Sequence, residues 1–437
     1  MSQELGPDEL REAWPLLDED TRVEGFLALS RADALPFFLG LAPRGQSQVL
    51  RGCPAHERPL WAKALAPDDL ADVLQELTPD ERTAILNSLD APTHHEVAAL
   101  LAYAEDDAGG LMNPRFVRAR PEMTVDEAIR YVRRQSHGQA VETIYYVYVL
   151  DAQQHLLGVL SVRELFAAKP DRLLSEIMRR EFVAVPTDLD REAVAKVVAR
   201  HDLLAVPVVD GDGRMRGIVT VDDVVDVVEA EATEDIQKIG GQEALDVPYM
   251  QTGLLPLIRK RAGWLAILFV GEMLTASAMA HFEDEIAHAV VLALFVPLII
   301  SSGGNSGSQA STLVIRALAL GEVRLRDSLL IVRRELVSGI ALGCILAAIG
   351  VVRILVWQFA FDAYGSHYAL IAATVAISLI GVVCWGTVSG SVLPLVLRRF
   401  GFDPASASAP FVATLVDVSG LAIYFTVASV VLKGSLL

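Results

Sequence analysis

The chain has little cysteine. Its 437 residues hold three, Cys53, Cys344 and Cys384, far apart and two of them inside apolar runs. No disulfide framework and no zinc-type spacing can be built from them, which excludes a stapled secreted fold and fits a reducing compartment for the soluble part. The N-terminal stretch Met1–Pro7 lacks the basic region and apolar core of a secretory signal, so membrane insertion is expected to come from later helices. Base is scarce too: 37 Lys and Arg stand against 55 Asp and Glu. Residues 262–437 hold nine bases and ten acids, leaving 28 and 45 for residues 1–261, so the excess of acid belongs almost wholly to the first part. Acid in that amount disfavours nucleic acid and anionic lipid headgroups and favours cations. Apolar residues are abundant, at 52%. They concentrate beyond Gly263, which excludes an ordinary soluble enzyme.

Five apolar segments, about 263–282, 286–318, 335–361, 368–397 and 407–432, each exceed the roughly 20 residues that cross a bilayer core. The second and fourth are over-long and are expected to break or to extend past the bilayer. Arg259, Lys260 and Arg261, then Arg324, Arg326, Arg333 and Arg334, then Arg398 and Arg399 flank alternate ends. The other loops, around Glu283-Asp284-Glu285 and Asp362–His367, lack base. The positive-inside rule therefore puts the large N-terminal part in the cytosol and the C-terminus outside.

Within the last segment, Pro410–Leu432, stands one acid, Asp417, and no base. A carboxylate at that depth costs about 3 kcal/mol or more unless water, a partner or a cation meets it. The alternative is an Asp that is protonated or hydrogen-bonded to neighbouring helices. Glu272 is a second intramembrane acid, nearer a segment end. The stretch Pro297–Thr312 is rich in Gly, Ser and amides. It interrupts or ends an apolar run and suits a water-filled lining; the alternative is a small-residue helix interface.

The soluble part divides by pattern. Residues 1–110 read as helices: Pro67, Pro79 and Pro92 recur every twelve or thirteen residues, and Thr78-Pro79-Asp80-Glu81 is a capping box. Stacked short helices in a superhelix are the expectation. Residues 111–228 carry a duplicated pattern in which a helix precedes two β-branched runs: Ile144–Asp151 with Gly158–Leu165, and Leu204–Asp210 with Gly217–Val224. Asp210-Gly211 and Asp212-Gly213 mark a hairpin turn. From Asp222 to Asp235 come seven acids and no base, with 222, 226 and 229 on one helical face and 231, 234 and 235 on another. Like charges at these spacings repel, so a divalent cation would stabilise such a helix; the bland alternative is a solvated connector.

The duplicated unit, with lead-ins Leu111-Met112-Asn113-Pro114 and Ile177-Met178, resembles a tandem CBS pair. Together with the membrane motifs Ser302-Gly-Gly-Asn305-Ser-Gly-Ser-Gln309 and Ala413-Thr-Leu-Val-Asp417-Val-Ser-Gly, the whole chain resembles the MgtE family of magnesium transporters and channels. The resemblance implies a multidomain membrane protein. Its parts are an all-α N-terminal superhelix (1–110), an α/β CBS pair (111–228), an acidic linker or plug helix (229–262) and a five-helix transmembrane domain (263–437). It implies a homodimeric Mg²⁺ channel of the cell membrane, closed by cytosolic Mg²⁺. Asp417 becomes the pore residue. Asp223, Asp226, Glu231, Glu234 and Asp235 become sensing residues, with Glu192 and Asp202 from the CBS pair and Asp68 from the N-terminal domain. Gln48 stands where the family pattern has an acid. Tyr146 and Arg163 stand where a family CBS pair holds ATP. Other divalent ions, Mn²⁺ or Co²⁺, are the alternative cargo, since oxygen ligands suit Mn²⁺ as well. An anion pore would call for base in its lining, and Arg353 alone is read as lying in a crossing. An intramembrane enzyme is the remote alternative: Glu272 is the one candidate partner for Asp417, and His281, His288 and His367 sit at segment ends.

Overall fold

The structure is a computed structural model and describes residues 6–136, 141–245, 247–283 and 290–433. Asp284, Glu285 and His288 lie outside the described residues. The chain forms two compact units, Met1–Glu231 and Ala232–Leu437. One helix, Val221–Ile239, contributes to both. It starts within the stretch expected to be the CBS pair and carries the whole acidic run.

In the first unit, short helices from Pro7–Ala13 to Ala108–Leu111 stack around Phe26, Phe37, Phe38 and Trp61, with ring centroids 5.0–6.2 Å apart. Proline in the first turn starts Pro67–Gln75, Pro79–Leu86 and Ala91–Leu100. Its missing N–H is one that a helix start leaves unpaired in any case. The Thr78 and Glu81 side chains cap as their spacing predicts.

Two three-stranded sheets follow. In the first, β1 (Phe116–Ala119) lies parallel to β2 (Thr143–Leu150), and β3 (Leu156–Ser161) is antiparallel to β2. In the second, β4 (Val185–Pro186), β5 (Ala205–Val209) and β6 (Met215–Thr220) repeat that order. The sequence shows β2, β3, β5 and β6. The strands β1 and β4, four and two residues long, are too short to alternate visibly. The lead-ins cross over. Asn113 exchanges backbone hydrogen bonds with Ile218 of β6 (2.7 and 3.0 Å), and Arg179 does so with Val159 of β3 (both 3.0 Å). A Cβ on Gly217 would lie 2.8 Å from the Asn113 carbonyl, and one on Gly158 would lie 2.9 Å from that of Arg179. Glycine at these two matching positions is thus what lets each lead-in dock on the other repeat.

The second unit has five helices long and apolar enough to cross a membrane: Leu254–His281, Val290–Ala319, Leu325–Phe361, Gly365–Arg399 and Ala409–Val431. The expected interruption at Pro297–Thr312 is absent: Val296–Ala319 is one continuous α-helix. Its glycines pack helices instead of lining unwound backbone. A Cβ on Gly386 of the fourth helix would lie 2.4 Å from the carbonyl oxygen of Gly303, and one on Gly390 would lie 2.1 Å from that of Gly307. Backbone meets backbone there, as small residues allow where no water drives burial. Among the described residues the second segment passes from a 3₁₀ helix, Val290–Phe295, into that α-helix. The fourth helix runs through Pro394 without interruption, and the third, Ser328–Phe361, is the longest. Arg353 is not the one base in these spans, since Arg316 lies in the last turn of the second. Arg353 itself stands over the Phe295 and Trp357 rings, 5.6 and 5.3 Å from their centroids.

Replacing Gly390 by Ala drives a methyl into backbone that has no rotamer to yield. The expected result is a loss of about 2 kcal/mol or more, read as a lower melting temperature in detergent. An unchanged melting temperature would show that the second and fourth helices do not cross at this point.

Candidate metal sites

Two groups of carboxylates stand apart from ordinary surface acid. The first belongs to the soluble unit. Helix Pro67–Gln75 turns Asp68, Asp69 and Asp72 toward the start of helix Val221–Ile239, where Asp222, Asp223 and Asp226 lie, and Glu142 approaches from the segment before β2. Asp68 is 7% exposed, and its Oδ1 accepts from Asn113 Nδ2 at 2.9 Å. The same amide donates to Glu142 Oε2 at 2.8 Å. Asp223 Oδ2 accepts from the Thr220 N–H at 3.1 Å and its hydroxyl at 2.6 Å.

Burial, with each group's neighbouring carboxylates added, pushes Asp72 and Asp223 up to about 7. It raises Asp68 well above the ordinary carboxylate range, where Asp223, Asp69 and Glu142 add their repulsion. Asp69, Glu142 and Asp226 stay more exposed and rise as well, by partial desolvation and their neighbouring carboxylates. Acids crowded with, among the described residues, only Arg115 beside Glu142 to offset them are what a cation relieves. Among the described residues, however, no three His, Cys, Asp or Glu side chains converge into a ready-made cage. Such spacing fits Mg²⁺, which keeps several of its waters and takes only one or two carboxylates directly.

Of the acids singled out by sequence, Asp68, Asp223 and Asp226 meet here. The others do not. Glu231 pairs with Arg191 Nε at 2.8 Å, Glu192 with Lys196 at 2.6 Å, and Glu234 with Lys238. Asp202 is the left-handed residue ending helix Arg191–His201, with φ 51°. Asp235 lies on helix Val221–Ile239, one residue beyond Glu234. Gln48 is buried, and its Oε1 accepts from Arg22 Nη1 at 3.1 Å. Sequence reading missed Asp69, Asp72, Glu142, Asn113 and Thr220. Asp69 and Asp72 had a signal, since they flank Asp68 at helical spacing. Tyr146 of β2 is half-buried and registers with Ser161, two residues before the exposed Arg163, so both lie at one end of the first sheet.

The second site is in the membrane unit. Asp417, midway along Ala409–Val431, is half-buried. A Cβ on Gly304 of the second helix would lie 3.6 Å from its Oδ1. Glycine therefore leaves the carboxylate room. Glu272 of the first helix is within electrostatic reach, and the first and fifth helices close in at Gly271, whose Cβ would meet Thr414 at 2.9 Å. On the second helix Ser301, Asn305, Gln309 and Thr312 form an exposed polar stripe. Its neighbours grip the fifth helix and the turn before it: Ser308 Oγ donates to the Ala409 carbonyl at 2.9 Å and Ser311 Oγ to that of Ala407 at 2.8 Å. The backbone oxygens around Pro410 are thus engaged, as is that of Pro410 itself, by Thr414 Oγ1 at 3.1 Å.

A helical domain, a CBS pair and five membrane helices with an acid among polar side chains define a multidomain divalent-cation transporter. Family models agree: the MgtE intracellular N domain matches residues 5–106, CBS domains match 108–171 and 174–230, and the MgtE divalent cation transporter domain matches 296–427. The chain is 40% identical over 434 residues to the magnesium transporter MgtE of Thermus thermophilus, covering 99% of this chain and 94% of that one. It is 33% identical over 362 residues to MgtE of Bacillus subtilis, covering 83% and 78%. The crystal structure of the cytosolic domain of the Mg²⁺ channel MgtE in complex with ATP is 41% identical, covers 52% of this chain and 91% of that one, and superposes with a TM-score of 0.47. The chain belongs to the MgtE family of magnesium transporters. It is a membrane protein with a cytosolic N-terminal domain, and no enzymatic family is indicated along its transporter match.

Proposed function

We propose that the protein is a Mg²⁺-selective channel of the cell membrane that admits Mg²⁺ to the cytosol and is closed by cytosolic Mg²⁺. The observation that carries this reading is Asp417 itself. It is an acid midway along a helix long and apolar enough to cross a membrane, with glycine space beside it, and among the described residues no side chain pairs with it. An ion keeping part of its water would meet that carboxylate and leave again, as conduction requires. The membrane potential drives entry, at about 2.3 kcal/mol per charge per 100 mV and twice that for a divalent ion.

The polar stripe of the second helix faces neither its own bundle nor anything apolar that lipid would favour. A second copy, giving a homodimer with two Asp417 residues around one path, accounts for that face. Closure begins at the acids around Asp68, Asp223 and Asp226. A hydrated Mg²⁺ there offsets their repulsion, and helix Val221–Ile239 carries the change onward, with Asp235 and Asp202 as further ligands, and Glu231, Glu234 and Glu192 once their ion pairs open. ATP at the Tyr146 and Arg163 end of the first sheet would stiffen the CBS pair. The C-terminus lies outside the cell.

Purified protein in liposomes, with Mg²⁺, Mn²⁺ and Co²⁺ in competition, tests the cargo. Mg²⁺ flux unaffected by equimolar Mn²⁺ and Co²⁺ is the expected result. Equal flux of all three would replace Mg²⁺ selectivity with a general divalent path.

A further inference from the structure

The helix with seven acids ends on one base, Lys238. Its Nζ stands 2.7 Å from Asp403 Oδ2 and also contacts Glu234 one turn back. The three side chains keep 30–36% of their surface exposed, so this is a partly buried triad rather than a solvated pair. Asp403 is built into the turn before the fifth membrane helix: its Oδ1 accepts from the Ala405 N–H at 2.8 Å. Ala405 and Ala407 are buried, and the Ala407 carbonyl is the oxygen that Ser311 of the second helix holds. An unbroken set of contacts therefore runs from Glu234 through Lys238, Asp403 and the 404–407 turn to the polar helix beside Asp417.

The chain leaving Lys238 is fixed as well. Gly241 adopts φ +71°, and a Cβ there would lie 3.1 Å from Pro410 and 3.2 Å from Trp264. Trp264 stacks on Phe411 at 6.4 Å with planes 6° apart. The end of the acidic helix is thus held at two points on the first turns of the fifth membrane helix and the loop before it.

We propose that Lys238 is the positioning residue that couples the acidic helix to the cytosolic end of the pore, a fixed cation bridging Glu234 to Asp403. This rests on the reading of the second and fifth helices as the ion path. Glu234, taken from sequence as a metal ligand, already has a cation. A divalent ion that takes Glu234 must displace the ammonium, which then bears on Asp403 alone. Movement of the helix reaches the 404–407 turn through this ion bridge, beside the apolar contact of Ile239 with the same turn.

The test is Mg²⁺ flux through the full-length protein in liposomes, against the concentration of Mg²⁺ on the cytosolic side. Lys238→Gln is expected to keep flux at low Mg²⁺ and to shift half-closure by about threefold or more. Asp403→Asn keeps an acceptor for the Ala405 N–H and should shift closure as far. The double variant should be no worse than either single one, and Lys238→Arg should retain the parent curve. A Lys238→Gln curve that superimposes on the parent, or shifts that simply add in the double variant, would overturn the coupling role. Asp417→Ala run alongside separates the two ideas. If it conducts, the ion-path reading fails. If it is silent while Lys238→Gln closes normally, only the coupling fails. Should Lys238→Gln not fold, Asp403→Asn and Lys238→Arg decide the matter.

Discussion

Asp417→Ala is expected to abolish Mg²⁺ flux, by about a hundredfold or more, without lowering expression or melting temperature. The argument is one of opposing costs. A carboxylate among membrane helices is unfavourable by about 3 kcal/mol or more, and among the described residues none donates a hydrogen bond to this one. Removing it should not loosen the bundle. What the substitution removes is the charge that compensates a divalent ion for lost water, and each 1.4 kcal/mol of that is tenfold in occupancy. Asp417→Asn separates charge from shape: it keeps the volume beside Gly304 and should be nearly as inactive as Ala. Gly304→Ala, whose methyl would stand 3.6 Å from the carboxylate and 3.4 Å from Ala413, should still fold and conduct with altered rate. Isotope uptake into liposomes checks all three. Flux surviving in Asp417→Ala would remove the ion path from the fifth helix.

The second large effect concerns pH and Mg²⁺ together. The acids around Asp68 carry raised pKa values in the folded protein, with Asp72 and Asp223 at about 7. Unfolded, each would titrate near 4. Between about pH 4 and pH 7 the native state therefore binds more protons than the unfolded one, and stability falls as pH rises through that window. Above pH 7 Asp72 and Asp223 lose their protons and the repulsion within the cluster grows. Mg²⁺, competing with protons for the same oxygens, should protect strongly at pH 8 and little at pH 5. Hydrogen exchange in the full-length protein reads this locally. Amides of helix Pro67–Gln75 and of Val221–Asp226 should exchange faster at pH 8 than at pH 5, after correction for intrinsic rates, and Mg²⁺ should reverse the difference. Asp223→Asn should remove much of both effects. Mg²⁺ protection of equal size at the two pH values would mean that these acids do not hold the ion.

Asp417 was legible for a simple reason: a carboxylate in a 23-residue apolar helix is anomalous wherever its neighbours lie. The acidic cluster was only half legible. Asp68 and Asp223 stand 155 positions apart, and the Asn113 amide that holds Asp68 and Glu142 stands in a lead-in that docks on the other repeat. No local pattern announces either approach. Glu231, Glu192 and Glu234 are the converse case. Their acidity was plain, but an Arg or Lys one helical turn or forty residues away pairs with each.

The glycines 303, 304 and 307 divide the same way. Their spacing marked a special segment of the second helix. Unwound backbone and close helix crossing use the same residues, and only the Gly386 and Gly390 backbones standing against Gly303 and Gly307 decide for crossing. Composition and periodicity fixed what depends on a residue and its chain neighbours: five apolar spans, the orientation expected from their flanking bases, the duplicated β-α units and one stranded acid. Tertiary structure alone decided which acids share a space and which already have a cation. Electrostatic partnership depends on distance through space, and a chain brings distant residues together by packing that local sequence does not record.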